Sequence, residues 1–205
     1  MDQKIDTRER ILNAAVERMK HYGYGKTTMA EIAGDCGMSP GNIYRFFESK
    51  LDIAEAMAKG HSLEQNARLS QIARRAAPAD KRLRDMLLAR LRDNFAMLEA
   101  NAKYLEIADV LRKERPLYHN EQLALQRVFM GDVLRDGIEA GLFRPMDTEF
   151  TAEMIQAATH KFSYPHLFSR LTLPKLEREF DGVMNLILNG LYAAPRRDGG
   201  PANEQ

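Results

Sequence analysis

The segment over residues 27–50, TTMAEIAGDCGMSPGNIYRFFESK, constrains the fold more than any other part of the chain. Thr28 precedes Glu31 by three residues, and this capping-box pattern starts a helix. Gly37 tolerates a positive φ, so it can end that helix in a tight turn. The pattern therefore predicts a short helix followed by a sharp change of direction.

A second short helix is predicted over residues 40–47. Ser39 is its N-cap, and Pro40 takes the first helical position, where its missing N–H has no cost. Ile43 and Phe47 are four residues apart, so they share the face that packs inward. Two short helices joined by a tight turn have the layout of a helix-turn-helix.

A helix-turn-helix binds duplex DNA by placing the first turn of its second helix against base edges in the major groove. Asn42 can pair with an adenine edge, and Arg45 with guanine or a phosphate. Pro40 and Gly41 allow close approach to a thymine methyl group. The candidate DNA-binding residues, including groups suited to phosphates, are Thr28, Ser39, Pro40, Gly41, Asn42, Tyr44, Arg45 and Lys50. Each residue alone could equally be a cap or a packing residue, but the ordered set favours DNA binding.

The segments ILNAAVERMKHYGYGKTTMAEIA and CGMSPGNIYRFFESK resemble the DNA-binding domain of the TetR/AcrR family of bacterial transcriptional regulators. The resemblance covers residues 7–51, and the most specific part is the pattern GMSxGxIYxxFxSK. It implies an N-terminal three-helix domain with an all-α ligand-binding and dimerisation domain behind it. It also implies a homodimer on a pseudo-palindromic double-stranded DNA operator, usually as a repressor that a small-molecule effector releases.

The resemblance assigns roles to individual residues of the motif. It implies that Tyr44 and Lys50 contact phosphates, and that Pro40, Gly41 and Asn42 form the base-reading turn. Phe46 departs from the pattern, because many relatives carry a tyrosine or histidine there that can bond a phosphate. We expect that phosphate contact to be missing.

Composition limits the class of protein without defining it. The 205 residues include 30 Lys and Arg and 29 Asp and Glu, so a net charge of +1 gives no footprint of indiscriminate nucleic-acid binding. The single cysteine, Cys36, excludes an intramolecular disulfide and is expected to be a small buried residue. No signal peptide or membrane-spanning stretch is apparent, so we expect a cytoplasmic protein with no membrane partner.

Helical periodicity continues through the rest of the chain and strand signals are absent, so the predicted fold class is all-α. A first helix should start after Asp6 and end at Gly23. Further helices are predicted over residues 49–76, 80–100, 103–114, 117–140, 148–164 and 174–193. The predicted units are a helix-turn-helix domain over residues 1–50, a helical bundle for effector binding and dimerisation over 51–194, and a disordered tail over 195–205.

The last predicted helix carries an apolar face broader than one core contact needs, and the helix before it carries small residues. Two such helices from each protomer could form a four-helix interface. The candidate interface residues are Ala158, Phe180, Val183, Met184, Ile187 and Leu191. The alternative is that both helices pack into the core of one protomer.

The middle helices combine apolar stripes with a few polar residues, which is typical of a small-molecule site. The candidate effector contacts are Asn94, Met97, Tyr104, His119, Gln126, Phe129 and Met130, which would suit an apolar or aromatic molecule. An aromatic cluster of Phe162, Tyr164, His166 and Phe168 could close such a cavity. Each polar residue could instead be an ordinary satisfied or surface residue.

No pattern in the chain predicts catalysis, a metal site or a cofactor. The five histidines are scattered without metal-ligand spacing. The stretch GYGKTT imitates a phosphate-binding loop, but Lys20 stands where its first glycine is required. We therefore expect a regulator that is not an enzyme. The alternative is a helical ligand-binding or adaptor protein with a vestigial helix-turn-helix, which would show no sequence-specific DNA binding.

Overall fold

The computed structural model describes residues 6–100, 102–164 and 171–193. Within these residues the chain is helical, which confirms the all-α prediction. The predicted tail over 195–205, together with His166 and Phe168, lies outside the described residues. The helices are α1 (Thr7–Tyr22), α2 (Met29–Asp35), α3 (Pro40–Ile43), α4 (Lys50–Arg74), α5 (Ala79–Ala100), α6 (Tyr104–Glu114), α7 (Pro116–Glu139), α8 (Thr148–Ala158), α9 (His160–Ser163) and α10 (Leu173–Leu191).

Helices α1 and α2 begin and end where the sequence predicts. Asp6 caps α1 by accepting a bond from the Arg8 amide, and Gly23 follows its end with φ of 87°. The capping box at α2 is complete, because Thr28 Oγ1 accepts from the Glu31 amide at 3.3 Å and Glu31 Oε2 accepts from the Thr28 amide at 2.9 Å. These caps satisfy backbone donors that a helix start leaves without partners.

Helix α3 is shorter than predicted, ending at Ile43 instead of Phe47. The amides of Arg45 and Phe46 bond the carbonyls three residues earlier, at 3.2 and 3.0 Å, so the chain tightens into turns. Ser39 takes the N-cap position, but its side chain makes no capping bond. That prediction is therefore correct for the position and wrong for the hydroxyl's bond.

Two hydrophobic clusters organise the described residues. The N-terminal cluster joins α1, α2, α3 and the start of α4, and its buried members include Ile11, Ile32, Ile43 and Ile53. The C-terminal cluster joins α4, α5, α7, α8 and α10, with buried members such as Leu83, Leu91, Val133, Ile155, Leu176 and Phe180. Helix α4 contributes to both clusters and therefore connects them physically.

Helix α6 belongs to the N-terminal cluster, although it follows α5 along the chain. Its Ile107 and Leu111 are 6% and 5% exposed and pack with the residues of α1 to α4. The core under the helix-turn-helix therefore includes residues far beyond position 50.

The predicted helix over residues 148–164 is divided into α8 and α9 at Thr159. The Thr159 hydroxyl bonds the carbonyl of Ile155 at 2.7 Å, and the Phe162 amide bonds the carbonyl of Thr159 at 3.0 Å. Such back-bonding competes with the regular helical pattern and bends the chain. The single-helix prediction was wrong at this residue.

Candidate nucleic-acid interface and effector site

The first turn of α3 is presented outward on two buried anchors. Ile43 and Phe47 are 0% and 4% exposed, and they hold the turn against the N-terminal cluster. Above them Pro40, Gly41 and Arg45 are exposed, whereas Asn42 is half-buried. The structure therefore brings the predicted base-reading residues together on one accessible face.

Phosphate-binding candidates flank that turn. The Tyr44 side chain is 54% exposed, so its hydroxyl can reach a partner outside the protomer. Thr28 is exposed at the start of α2, although its hydroxyl already donates to Glu31 at 2.8 Å. Lys26, which the motif reading passed over, is exposed two residues before it. An exposed cation just ahead of a capped helix start was the sequence signal that could have identified Lys26.

Lys50 points inward. Its Nζ donates to the carbonyl oxygens of Tyr24 and Thr27, both at 2.7 Å, and lies 4.2 Å from the centre of the Tyr24 ring. Burial lowers the pKa of this ammonium, and the carboxylates of Glu31 and Glu106 partly oppose that shift. In this arrangement Lys50 fastens the turn between α1 and α2, so a phosphate contact would require it to leave these carbonyls.

The same turn touches α6. Glu106 Oε2 accepts from the Gly25 amide at 3.3 Å. A Cβ at Gly23 would lie 2.7 Å from that carboxylate. The glycine is therefore required for two reasons, because it allows Glu106 to approach closely and because it adopts a positive φ. Lys103 Nζ also donates to the carbonyl of His21. Helix α6 is therefore held against the turn that precedes α2 and α3.

A second connection joins α4 to the start of α7. Arg115 donates to Asp52 and to Glu55, each at 3.0 Å. About two turns further along α4, Ser62 and Tyr118 share a hydrogen bond of 2.9 Å. The half of α4 nearest α2 and α3 is thus bonded to the rest of the chain at several points.

A group of polar side chains crosses the larger domain between its hydrophobic cluster and these contacts. Asn66 donates to Gln122 at 3.2 Å, and Gln65 donates to Asn94 at 3.0 Å. Tyr164 shares a hydrogen bond of 3.2 Å with His119. We call this group the polar layer; its members are Gln65, Asn66, Arg90, Asn94, His119, Gln122, Gln126 and Tyr164.

Burial shifts the titration of several groups in the polar layer. It lowers the pKa of the Arg90 guanidinium, and the neighbouring Tyr164 hydroxyl partly opposes that shift. It also lowers the pKa of His119, an effect that the nearby Arg90 and His160 strengthen. The Tyr164 hydroxyl has a raised pKa for the same reason. The layer is consequently a buried cationic environment in which His119 favours its neutral form.

The predicted effector contacts divide between several places. Asn94, His119 and Gln126 fall within the polar layer, and Met130, 2% exposed, packs beneath it in the C-terminal cluster. Phe129 lines an open depression of about 420 Å³ beside Arg82 and Asp136. Met97 is half-buried near the end of α5. The structure thus brings only part of the predicted set together.

Tyr104 lies elsewhere, because it packs against the N-terminal cluster on α6. Sequence spacing could not show this, since α6 turns its apolar face toward the helix-turn-helix. The arginine of the polar layer was missed as well. Arg90 stands among the leucines of α5. Its position on the apolar face of that helix was the sequence signal that could have identified it.

The predicted dimer interface needs correction. Phe180 and Met184 are 0% exposed, and Leu191 is 6% exposed, because all three fill the core of a single protomer. Val183 and Ile187 are half-buried beside that core, whereas Ala158 is exposed. Much of the broad face of α10 is therefore packed within one protomer, and an interface at Val183, Ile187 and Ala158 stays a prediction.

Cys36 is 7% exposed, and burial raises the pKa of its thiol. Among the described residues no cluster of His, Cys, Asp and Glu side chains is arranged to hold a metal ion. No helix within the described ranges is long and apolar enough to span a membrane.

Comparison with known proteins defines the class to which this fold and site belong. Residues 11–57 match the family of bacterial regulatory proteins of the tetR type, and residues 79–184 match a tetracyclin repressor-like C-terminal domain. The second match alone spans more than half of the chain. The protein therefore belongs to the TetR family of DNA-binding transcriptional regulators, in which dimers and ligand binding are typical.

Relatives match most of the chain at low identity. The HTH-type transcriptional repressor KstR2 of Mycobacterium tuberculosis is 27% identical over 158 residues, which cover 74% of this chain and 77% of the relative. The fatty acid metabolism regulator protein of Bacillus subtilis is 24% identical over 160 residues, covering 76% and 80%. The structure of the fatty acid degradation regulator FadR from Bacillus halodurans shares the fold, with a TM-score of 0.66, 20% identity and coverage of 91% and 97%.

Proposed function

We propose that the protein is a homodimeric repressor that binds a pseudo-palindromic operator and is released by a small apolar or aromatic effector. The exposed first turn of α3 on its buried anchors Ile43 and Phe47 carries this proposal. A rigidly supported turn with Asn42 and Arg45 at its surface suits the major groove. Repression requires only that the bound dimer occupy a promoter.

The contacts of α4 and α6 supply a route for release. Helix α4 lines the polar layer with Gln65 and Asn66 and fastens the α1–α2 turn with Lys50. A ligand that prefers another position of α4 or α6 would change the spacing of two recognition helices in a dimer. Half-sites lie roughly 34–36 Å apart, so a spacing change lowers operator affinity through a shift in populations.

We propose a revised dimer surface built from the exposed apolar residues of α8 and α10. Phe150 and Met154 are 59% and 43% exposed on α8, near the predicted Ala158, and Leu186 is 76% exposed on α10. Exposed apolar side chains that cluster on a surface commonly mark an interface. Val183 and Ile187 would border this surface.

The effector class rests on the apolar side chains beneath the polar layer. Leu69, Leu87 and Met130 are buried there, and none of them is more than 6% exposed. The solved structure of KstR2 is described as a ketosteroid regulator, and other relatives are named for fatty acids. Both kinds of compound are apolar, which supports an apolar effector for this chain.

A selection of binding sites from random duplex DNA tests the proposed function. We expect the purified full chain to enrich a two-fold symmetric sequence. The absence of enrichment from a folded sample free of bound ligand would favour the helical ligand-binding or adaptor protein instead.

Substitutions in the reading turn test the individual roles. Asn42→Ala should lose about 1–3 kcal/mol of discrimination between operator and random DNA, because a bidentate base contact is removed.

Tyr44→Phe should weaken binding to both sequences alike, since a phosphate contact carries no sequence information. Asn120→Ala, an exposed asparagine on α7, is the matched control. An equal loss on both DNAs for Asn42→Ala would contradict its base-reading role.

A further inference from the structure

Arg90 differs from the other arginines of α5 in having no carboxylate partner among the described residues. Arg82 donates to Asp136 at 2.8 Å, Arg84 to Asp181 at 2.5 Å and Arg92 to Glu177 at 2.6 Å. Arg84 and Arg92 reach solvent, but Arg90 is only 5% exposed. The most deeply buried cation of the helix is therefore the one that no acidic side chain neutralises.

Burying a charge without an opposite charge is strongly unfavourable, so a fold rarely keeps one without a reason. The described neighbours of the Arg90 guanidinium are the Tyr164 hydroxyl and the rings of His119 and His160. None of these groups carries negative charge near neutral pH. Replacement by an apolar side chain would avoid the desolvation, which makes a ligand the simplest reason for the arginine.

The polar layer around Arg90 is also incomplete in its hydrogen bonds. Arg90 Nε, Asn66 Oδ1 and Gln126 Oε1 are buried and have no partner within the described part of the chain. Buried polar atoms are normally paired, so these three atoms of the layer are the ones that a bound molecule or a water could satisfy. A carboxylate accepts from the guanidinium, while a ligand hydroxyl or a water can donate to the two amide oxygens.

Apolar residues continue directly from the layer on three helices. Leu69 follows Asn66 by three residues on α4, Leu87 precedes Arg90 by three on α5, and Met130 follows Gln126 by four on α7. Helices α4 and α7 run parallel here, as the successive pairs Ser62–Tyr118 and Asn66–Gln122 show. Helix α5 runs antiparallel to α4, as the pairs Gln65–Asn94 and Arg75–Asp85 show. All three apolar side chains therefore lie on the same side of the layer.

We infer that the effector of this regulator is an organic acid whose carboxylate pairs with Arg90 while its apolar body lies against the side chains beyond the polar layer. The inference rests on the proposed function and deepens it by naming the ligand's charged group. Arginine offers several donors in a fixed plane, so it suits a carboxylate better than a neutral carbonyl. Entry of such a ligand would press on α4 at Gln65 and Asn66, the residues that face the layer.

Paired probes test this inference with the full chain in isothermal titration calorimetry. Decanoate, 4-phenylbutyrate and cholate would each be compared with its primary amide, which has nearly the same shape without the charge. Inorganic phosphate and chloride would serve as ions without an apolar body. We expect at least one acid to bind at least tenfold more tightly than its amide, and the ions to bind far more weakly.

Two arginine variants provide the matched comparison. Arg90→Met should reduce the acid's affinity to that of its amide and should leave the melting temperature unchanged or higher, because an unpaired buried charge is removed. Arg82→Met, on the same helix, should lower the melting temperature by breaking its contacts with Asp136 and the Ala73 carbonyl, and it should preserve the preference for the acid. Arg90→Lys should retain part of that preference.

Several results would overturn the inference. One is that no acid binds more tightly than its amide. Another is that the wild type and folded Arg90→Met prefer the acid equally. A third is that Arg82→Met loses its preference for the acid as fully as Arg90→Met does. Operator binding is measured separately by fluorescence anisotropy. Acid binding through Arg90 without any release of operator would uphold the ligand assignment and contradict the proposed effector control, whereas failure of all operator binding would contradict only the proposed function.

Discussion

At the scale of single residues, the tightest steric constraint is at Gly137 on α7. A Cβ there would lie 2.2 Å from the ring of Phe143, which is 1% exposed and bonded back to α7 through its amide and the Gly137 carbonyl at 3.0 Å. The ring cannot withdraw, because it fills the C-terminal cluster. Backbone proximity of this kind leaves no trace in the sequence beyond a glycine in a helical pattern.

Gly137→Ala should therefore destabilise the protein by about 1–3 kcal/mol, the usual cost of overpacking a core. Gly131→Ala on the same helix is the control, because a Cβ there meets nothing within 4 Å. It should stabilise the protein by up to about 1 kcal/mol through the higher helix propensity of alanine. Urea unfolding monitored by circular dichroism measures both, and equal midpoints for the two variants would contradict the steric argument.

At the scale of secondary-structure elements, the position of α6 decides how the larger domain contacts the helix-turn-helix. It follows α5 in the chain but packs under the helix-turn-helix through Ile107 and Leu111. Its Glu106 holds the Gly25 amide, so the larger domain touches the DNA-reading part at a backbone turn. A movement of α6 would therefore act directly on the turn at Gly25.

Glu106→Ala should loosen that turn, because the Gly25 amide loses its acceptor. We expect faster hydrogen exchange over residues 23–27, measured by mass spectrometry, with little change in α1 or α2. Asp109→Ala, at an exposed position of the same helix whose ion pair is with Arg112, should leave exchange unchanged. Unaltered exchange in Glu106→Ala would show that the Glu106 contact does not hold the turn.

Elements also show where sequence reasoning is sufficient and where it is not. Local signals placed α1, α2 and α4 closely, because caps such as Asp6, Thr28 and Ser49 act on their own neighbours. They failed at Thr159 and at the end of α3, where a side-chain or turn hydrogen bond replaces the regular one. Which apolar face meets which partner is decided by tertiary packing, so Phe180 and Met184 could not be assigned from periodicity.

The candidate site divides in the same way. The proposed reading turn could be located from the sequence because its residues are contiguous and follow the turn at Gly37, whose φ is 64°. The polar layer draws on α4, α5, α7 and the residue after α9, so no local pattern joins Arg90 to Tyr164. Lys50 was predicted for its charge, and only the fold shows that its ammonium faces two carbonyls.

At the scale of the whole molecule, the proposed operator recognition depends on how two protomers are held. We expect Leu186→Glu to shift the dimer toward monomers, because a two-fold interface places the new charge near its symmetry mate. Leu63→Glu is the matched control, since Leu63 is 73% exposed on α4 and Leu186 is 76% exposed on α10. Sedimentation velocity over a range of concentrations distinguishes them, and a persistent dimer in Leu186→Glu would place the interface elsewhere.

The packing of α6 beneath the DNA-reading helices limits how this protein can be divided or recombined. A fragment that stops after α4 would leave the places of Ile107 and Leu111 open to water, on the underside of Ile53 and Ala54. A chimera that joins only the first fifty or so residues of this protein to another regulator would lack the same two side chains in its core. Transplanting this reader into a new host protein requires grafting α6 with it, or redesigning the host helix that takes its place.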